Sequence, residues 1–188
     1  MLDFKPHADI AGIWSRTTTR HYDDRGFFSE NIRLSELELM QVNFKQQNLS
    51  YSKKMVRRGM HVQENQWQLI TLVSGNVIDV LLDIRLDSTT FGKFVTYDLK
   101  CDPGEINQLL VSPGIAHGFG VLSENAYMLY SSDRYYEETN ETGISCAAAE
   151  LESAWPKNNW IESLRDKSFP ELSEAKRLGS LNNFTMNK

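Results

Sequence analysis

One histidine sits inside an otherwise strand-like run, Arg57-Arg58-Gly59-Met60-His61-Val62-Gln63, with arginines before it and a glutamine after it. A polar line, Gln46-Gln47-Asn48, lies just upstream. A second histidine stands downstream in Ser112-Pro113-Gly114-Ile115-Ala116-His117-Gly118-Phe119. Imidazole titrates near neutral pH and guanidinium matches phosphate oxygens, so this set suits proton chemistry on a phosphate-bearing substrate. Apolar β segments whose polar groups converge from several strands point to the mouth of a small barrel that holds an anionic ligand.

Such groups must be positioned by β-structure, and alternation with a period of two dominates the chain. Leu69 to Val73 and Val77 to Ile84 are β-rich runs joined across Ser74-Gly75-Asn76, a tight turn that needs positive φ. Phe94 to Leu99 reads as another strand, closed by the turn residues Asp102-Pro103-Gly104-Glu105. Gln108 to Ser112 and Ala126 to Ser131 follow. Short strands at regular spacing predict an all-β sandwich or barrel. Helix is scarce. Ser35 to Met40 predicts a single turn, with Ser35 as N-cap and Glu38 at the capping-box position. Arg165 to Leu178 mixes helical and loop signals around Pro170. Residues 1–178 read as one domain without repeats, and Gly179 to Lys188 as a polar tail ordered only by a partner.

Composition narrows the class. With 188 residues the chain can bury a real core, and a net charge of −5 with scattered basic residues argues against nucleic-acid binding. The longest apolar stretches are far too short to span a membrane. Met1 to Pro6 shows no apolar leader, so a soluble cytoplasmic protein is expected. Cys101 and Cys146 stand too far from any histidine at ligand spacing to indicate a disulfide frame or zinc site. No metal or other cofactor is expected.

In order along the chain, these segments resemble the dTDP-4-dehydrorhamnose 3,5-epimerase family. The residues that carry the resemblance are Asp24-Arg25-Gly26-Phe27-Phe28-Ser29-Glu30, Gln46-Gln47-Asn48, Arg58-Gly59-Met60-His61, Asp79, Asp83-Ile84-Arg85, Thr90-Phe91-Gly92 and Pro113 to Phe119. Tyr130, Tyr135-Tyr136, Glu141, Trp155-Pro156 and Arg165-Asp166 continue it, so it runs from about Arg25 to Pro170. The resemblance implies a cupin-like double-stranded β-helix, that is, a jelly-roll barrel with a few short helices. It also implies a homodimer that inverts C3, C5 or both in a nucleotide-diphosphate-linked 4-keto-6-deoxy sugar, in deoxysugar and surface-polysaccharide synthesis.

That chemistry removes a proton beside the C4 ketone and returns one to the opposite face, so it needs a base, an acid and donors near the enolate oxygen. By resemblance His61 is the base, Asp166 fixes its tautomer and Tyr130 is the acid on the far face. Arg25 and Arg58 resemble diphosphate or base-edge ligands. Phe28 and Tyr136 resemble the pair that stacks on the nucleobase, and Glu30 a base-edge contact. Glu141 and Arg165 complete the binding set, and His117 resembles a donor near the sugar oxygen. Gln46, Gln47 and Asn48 fit sugar-hydroxyl or phosphate contacts, or ordinary strand polarity. Strict alternation would send Arg58 and His61 to opposite faces, and a bulge at Gly59 would bring both to the site.

One position departs from the family pattern. The family has a lysine where this chain has Gln68, after a loop shorter than the family's. Losing one preorganised donor to a developing oxyanion typically costs ~3 kcal/mol, and exchanging a cation for an amide costs less. The change fits a slower enzyme, a different keto sugar or inversion at C3 only. Two alternatives share the scaffold: a 3,4-ketoisomerase and a non-catalytic nucleotide-sugar binding module. A metal cupin is disfavoured, because His61-Val62-Gln63 lacks the second histidine of a His-x-His pair.

Overall fold

A computed structural model of the chain describes residues 3–38 and 40–186. Thirteen strands and three short α-helices follow one another: β1 Lys5–Pro6, β2 Ile13–Arg16, β3 His21–Asp23, β4 Gly26–Phe28, α1 Leu34–Glu38, β5 Gln46–Lys53, β6 Arg57–Gln63, β7 Gln68–Ser74, β8 Asn76–Asp83, β9 Phe94–Lys100, β10 Gln108–Val111, β11 Ile115–Val121, β12 Asn125–Ser132, β13 Glu141–Gly143, α2 Leu164–Lys167 and α3 Leu172–Arg177. They build a six-stranded sheet in the order β1-β2-β10-β7-β12-β5 and a five-stranded sheet in the order β13-β6-β11-β8-β9. The hairpin β3–β4 stands as a separate pair. Two antiparallel sheets facing one another make the expected jelly-roll barrel. Among the described residues no helix is long and apolar enough to cross a membrane.

The period-two pattern explains the layering. Ile70, Leu72, Leu109 and Met128 of one sheet meet Val77, Leu81, Phe119 and Val121 of the other, forming the core between them. Their sequence neighbours point outward and are also covered. Leu69 and Leu110 pack under Phe4, Leu37 and Val42, while Val80, Leu82 and Ala116 pack under Trp155, Leu172 and Ala175. Strands buried on both faces read as nearly continuous apolar runs, as in Val80-Leu81-Leu82. The expected turn at Gly75, whose φ is +100°, does not close a hairpin. It passes the chain from β7 in one sheet to β8 in the other.

Two expectations need correction. The first helix begins at Leu34, so Ser35 lies inside its first turn instead of capping it; Leu39, within the expected Ser35–Met40 turn, lies outside the described residues. The two helical pieces α2 and α3 do flank Pro170 as expected. The end of the chain, by contrast, is not a tail awaiting a partner. Leu181 and Phe184 are buried in the cluster that covers the five-stranded sheet, and the Leu86 N–H donates to the Phe184 carbonyl at 3.0 Å. Asn187 and Lys188, which end the expected tail, lie outside the described residues. Two apolar residues three apart in a polar stretch suffice to dock the segment.

Phe184→Ala should therefore cost about 3–5 kcal/mol, the usual range for removing a buried phenylalanine. Urea unfolding measures it, and a cost near zero would show that the segment is only loosely attached.

Candidate active site

A cavity of about 280 Å³ opens between the two sheets. It is reached by Arg58, His61 and Gln63 from β6, Gln46, Asn48 and Ser50 from β5, Gln68 from β7, His117 and Phe119 from β11, and Tyr130 from β12. Arg58 and His61 reach it together because β6 carries a bulge. Arg58 pairs with Phe119 and His61 with His117, so Gly59 and Met60 face Gly118 alone. Gly59 has φ +116°, and a Cβ there would sit 2.7 Å from the His117 carbonyl oxygen, so only glycine fits.

His61 Nε2 lies 2.9 Å from Asp166 Oδ1, and the ring stands edge-on to Phe169 at 5.6 Å. Asp166 sits in the first turn of α2, where its N–H donates to Ser163 Oγ at 3.0 Å. Burial pushes its carboxyl up, but the His61 imidazole, Ser163 Oγ and the Gly59 N–H outweigh that and hold it below the ordinary carboxylate range. An ionised Asp166 accepts from Nε2–H, which leaves the lone pair of the imidazole on Nδ1. Across the cavity, on the other sheet, burial pushes the Tyr130 phenol up, so the hydroxyl stays neutral. Its oxygen lies 3.5 Å from Ser50 Oγ.

His117 is buried between these groups. Its Nε2 lies 2.8 Å from Asp79 Oδ2, and its ring centroid is 6.0 Å from that of Tyr130. Asp79 is fully buried, and burial raises its carboxyl pKa against the opposing pull of His117. No role follows for Asp79 from the sequence reading, yet its signal is visible. Alternation in β8 places an acid between the inward-facing Val77 and Leu81, and an acid survives there only with a partner.

At the rim, the Arg58 guanidinium donates to Ser52 Oγ at 2.9 Å and to the Tyr51 carbonyl at 3.3 Å. The Tyr136 N–H donates to Gln46 Oε1 at 2.8 Å and its hydroxyl to Glu141 Oε2 at 3.1 Å; Glu141 also pairs with Arg165. Gln68 lines the cavity, and no lysine lines it among the described residues.

Five expected contacts do not line this cavity, and of these Arg165 alone stands next to it, through its pair with the lining Glu141. Alternation turns Gln47 to the other face of β5, where its amide donates to Ser131 Oγ at 3.0 Å. Arg25 and Phe28 lie on the β3–β4 hairpin, with the Phe28 residue 72% exposed and the Arg25 side chain 90% exposed and paired to Asp23. Glu30 follows the hairpin and pairs with Arg33 at 2.6 Å. Gln63, Gln66 and Ser50, which do line the cavity, were not among the expected site residues.

The geometry pairs an imidazole–carboxylate dyad on one sheet with a neutral phenol on the other, which is an arrangement for moving protons on two sides of one bound molecule. The sequence profile of the family described as dTDP-4-dehydrorhamnose 3,5-epimerase matches residues 7–174. A dTDP-4-dehydrorhamnose 3,5-epimerase of Salmonella typhimurium is 39% identical over 160 residues, covering 81% of this chain and 86% of the relative. A dTDP-4-dehydrorhamnose 3-epimerase of Streptomyces niveus is 33% identical over 178 residues, covering 92% of this chain and 85% of that one. The crystal structure of a dTDP-6-deoxy-D-glucose-3,5-epimerase of Legionella pneumophila, bound to dTDP-4-keto-L-rhamnose, superposes with a TM-score of 0.86. It is 30% identical and covers 98% of both chains.

Asp166 carries a pH signature. Its carboxyl titrates lower in the folded chain than in the unfolded one, so its stabilisation is present above the unfolded pKa and is lost as pH falls through the folded value. Asp166→Asn should therefore lose stability at about pH 7 and lose much less at about pH 3. Urea midpoints at both pH values test this, and a deficit that does not change with pH would contradict the ionised dyad.

Proposed function

The chain belongs to the dTDP-4-dehydrorhamnose 3,5-epimerase family, and on that premise we propose how this cavity inverts a nucleotide-linked 4-keto-6-deoxy sugar. The protein is an isomerase of that class. The observation that carries the mechanism is the placement of the His61–Asp166 dyad and Tyr130 on facing sheets across one cavity. A carbon beside the C4 ketone loses its proton to Nδ1 of His61, and the electron pair of the C–H bond moves onto the ketone oxygen. Asp166 stabilises the imidazolium that forms. His117 and the Gln68 amide are the donors available to the enolate oxygen. The enolate pair then returns to that carbon, which takes the Tyr130 proton from the opposite face as the ketone re-forms; the phenolate recovers a proton from solvent and the His61 imidazolium releases the one it took. A phenol kept neutral by burial holds that proton until a carbanion-like carbon is there to take it.

The nucleotide end uses Tyr136, Glu141 and Arg165, with Arg58 on the diphosphate. The remaining contacts come from a second copy in a homodimer, whose hairpin brings Arg25, Phe28 and Glu30 to this rim. Three observations support that reading. The hairpin exposes Tyr22, Phe27 and Phe28; among the described residues β5 is an unpaired sheet edge; and along that edge Leu49, Tyr51 and Tyr127 lie exposed. dTDP is the nucleotide on the strength of the relatives' substrates. Inversion at C3 alone is the finer reading, favoured by Gln68 in place of an ammonium and by the likeness to a 3-epimerase. We place the reaction in the cytoplasm, on the way to a deoxysugar of lipopolysaccharide or another surface polysaccharide; the support for both is the family alone.

Incubation with a dTDP-linked 4-keto-6-deoxyhexose in D₂O, read by mass spectrometry, tests the assignment. The wild type should take up one deuterium. His61→Ala should lose uptake by ~10²–10⁴-fold, the usual worth of a positioned base. Tyr130→Phe should retain uptake while losing inversion. Two deuteriums would remove the C3-only reading, and normal uptake by His61→Ala would remove His61 from its role. Sedimentation velocity at micromolar concentration should show a dimer; a fully active monomer would refute the shared site.

A further inference from the structure

Two glutamines at the mouth of the cavity form a chain with a fixed polarity. Gln63 Nε2 donates to the Glu137 carbonyl at 3.5 Å. Gln66 Nε2 donates both to Gln63 Oε1 at 3.0 Å and to the Arg134 carbonyl at 3.4 Å. Two backbone carbonyls end the chain, and a carbonyl can only accept. Turning either amide over would set oxygen against oxygen, so the network settles which atom is which. Both N–H groups of Gln66 are thereby used inside the protein. Its Oε1 has no hydrogen-bond partner among the described residues and is not shut away from solvent, and Gln66 lines the cavity.

The loop that carries it, residues 64–67, is gripped at nearly every residue. Glu64 N–H donates to the Asn140 carbonyl at 3.1 Å and Arg134 Nε to the Asn65 carbonyl at 2.7 Å. The Trp67 N–H donates to Asp133 Oδ1 at 2.9 Å, and the Trp67 ring packs on Trp14 at 5.6 Å. An acceptor held so firmly, with no donor of its own left over, is unsuited to a phosphate oxygen and suited to a hydroxyl.

We propose that Gln66 is a specificity residue that accepts a hydrogen bond from a hydroxyl of the bound sugar, its oxygen aimed by Gln63 and the Arg134 carbonyl. The proposal rests on the epimerase reading above and adds to it a requirement on the sugar. In that picture, the short loop supplies a neutral acceptor to the sugar pocket.

Calorimetry with dTDP, with dTDP-6-deoxyglucose and with its 2-deoxy and 3-deoxy counterparts tests it, on the wild type and on Gln66→Met, which keeps the side-chain length and has no amide. The variant should bind dTDP as the wild type does and bind dTDP-6-deoxyglucose about three- to tenfold more weakly. One deoxy sugar should bind the wild type equally weakly and lose nothing more in the variant, the coupling that a direct contact gives and a general loosening of the loop does not. Unchanged affinity of Gln66→Met for dTDP-6-deoxyglucose, or equal losses on every ligand including dTDP, would overturn the proposal alone. A wild type that binds none of the four would overturn the epimerase reading and this proposal with it.

Discussion

Gly59 is where strand geometry gives way to the needs of chemistry. A regular β6 would aim Arg58 into one face of the sheet and His61 into the other. The bulge opposite Gly118 brings both to one cavity, where His61 meets the Asp166 carboxylate. The next residue, Met60, is buried and exchanges both backbone hydrogen bonds with Ile144, at 3.0 Å each. One departure from the ladder thus aligns Arg58, His61 and Asp166, and the strands around it are regular enough to hold it there. The bulge cannot accept a side chain, since any Cβ would run into the backbone of β11.

Beyond that point the site is a division of labour between the two sheets. The five-stranded sheet supplies both imidazoles and Asp79, and α2 packed beside it supplies Asp166, so each imidazole is tied to a carboxylate. The six-stranded sheet supplies neutral groups: Tyr130, Ser50, Gln68 and the amides of β5. Ionisable groups are therefore concentrated on one side of the cavity, and the opposite wall gives and accepts hydrogen bonds without a net charge. This asymmetry is what a reaction with two distinct faces requires.

Much of this was legible in the residues. Alternation and turn chemistry located the strands from Leu69 to Ser131, because those strands are short, apolar and bounded by Gly, Pro and Asp. The Arg58–His61 pair was legible only conditionally, since the sequence names a glycine but cannot say that the ladder slips there. Gln47 shows the opposite failure: three polar residues in a row look alike, and only the strand's facing separates the middle one. Arg25, Phe28 and Glu30 carry family resemblance but no local signal of where a free-standing hairpin points. Gln66 was hidden because its meaning lies in partners at Gln63 and Arg134, the latter a long way along the chain. Leu181 and Phe184 escaped notice because two apolar residues barely alter the composition of a polar segment.

The burial of that last segment bears on how the protein is made. His61 and Asp166 are 105 positions apart, and the cluster over the five-stranded sheet is completed only by Leu181 and Phe184. The strands that carry His61 and His117 therefore leave the ribosome well before the residues that cover the outer face of their sheet. Until residues 155–184 have emerged and docked, Val80, Leu82 and Ala116 stay open to the cell, a period in which exposed apolar strands invite association with other chains.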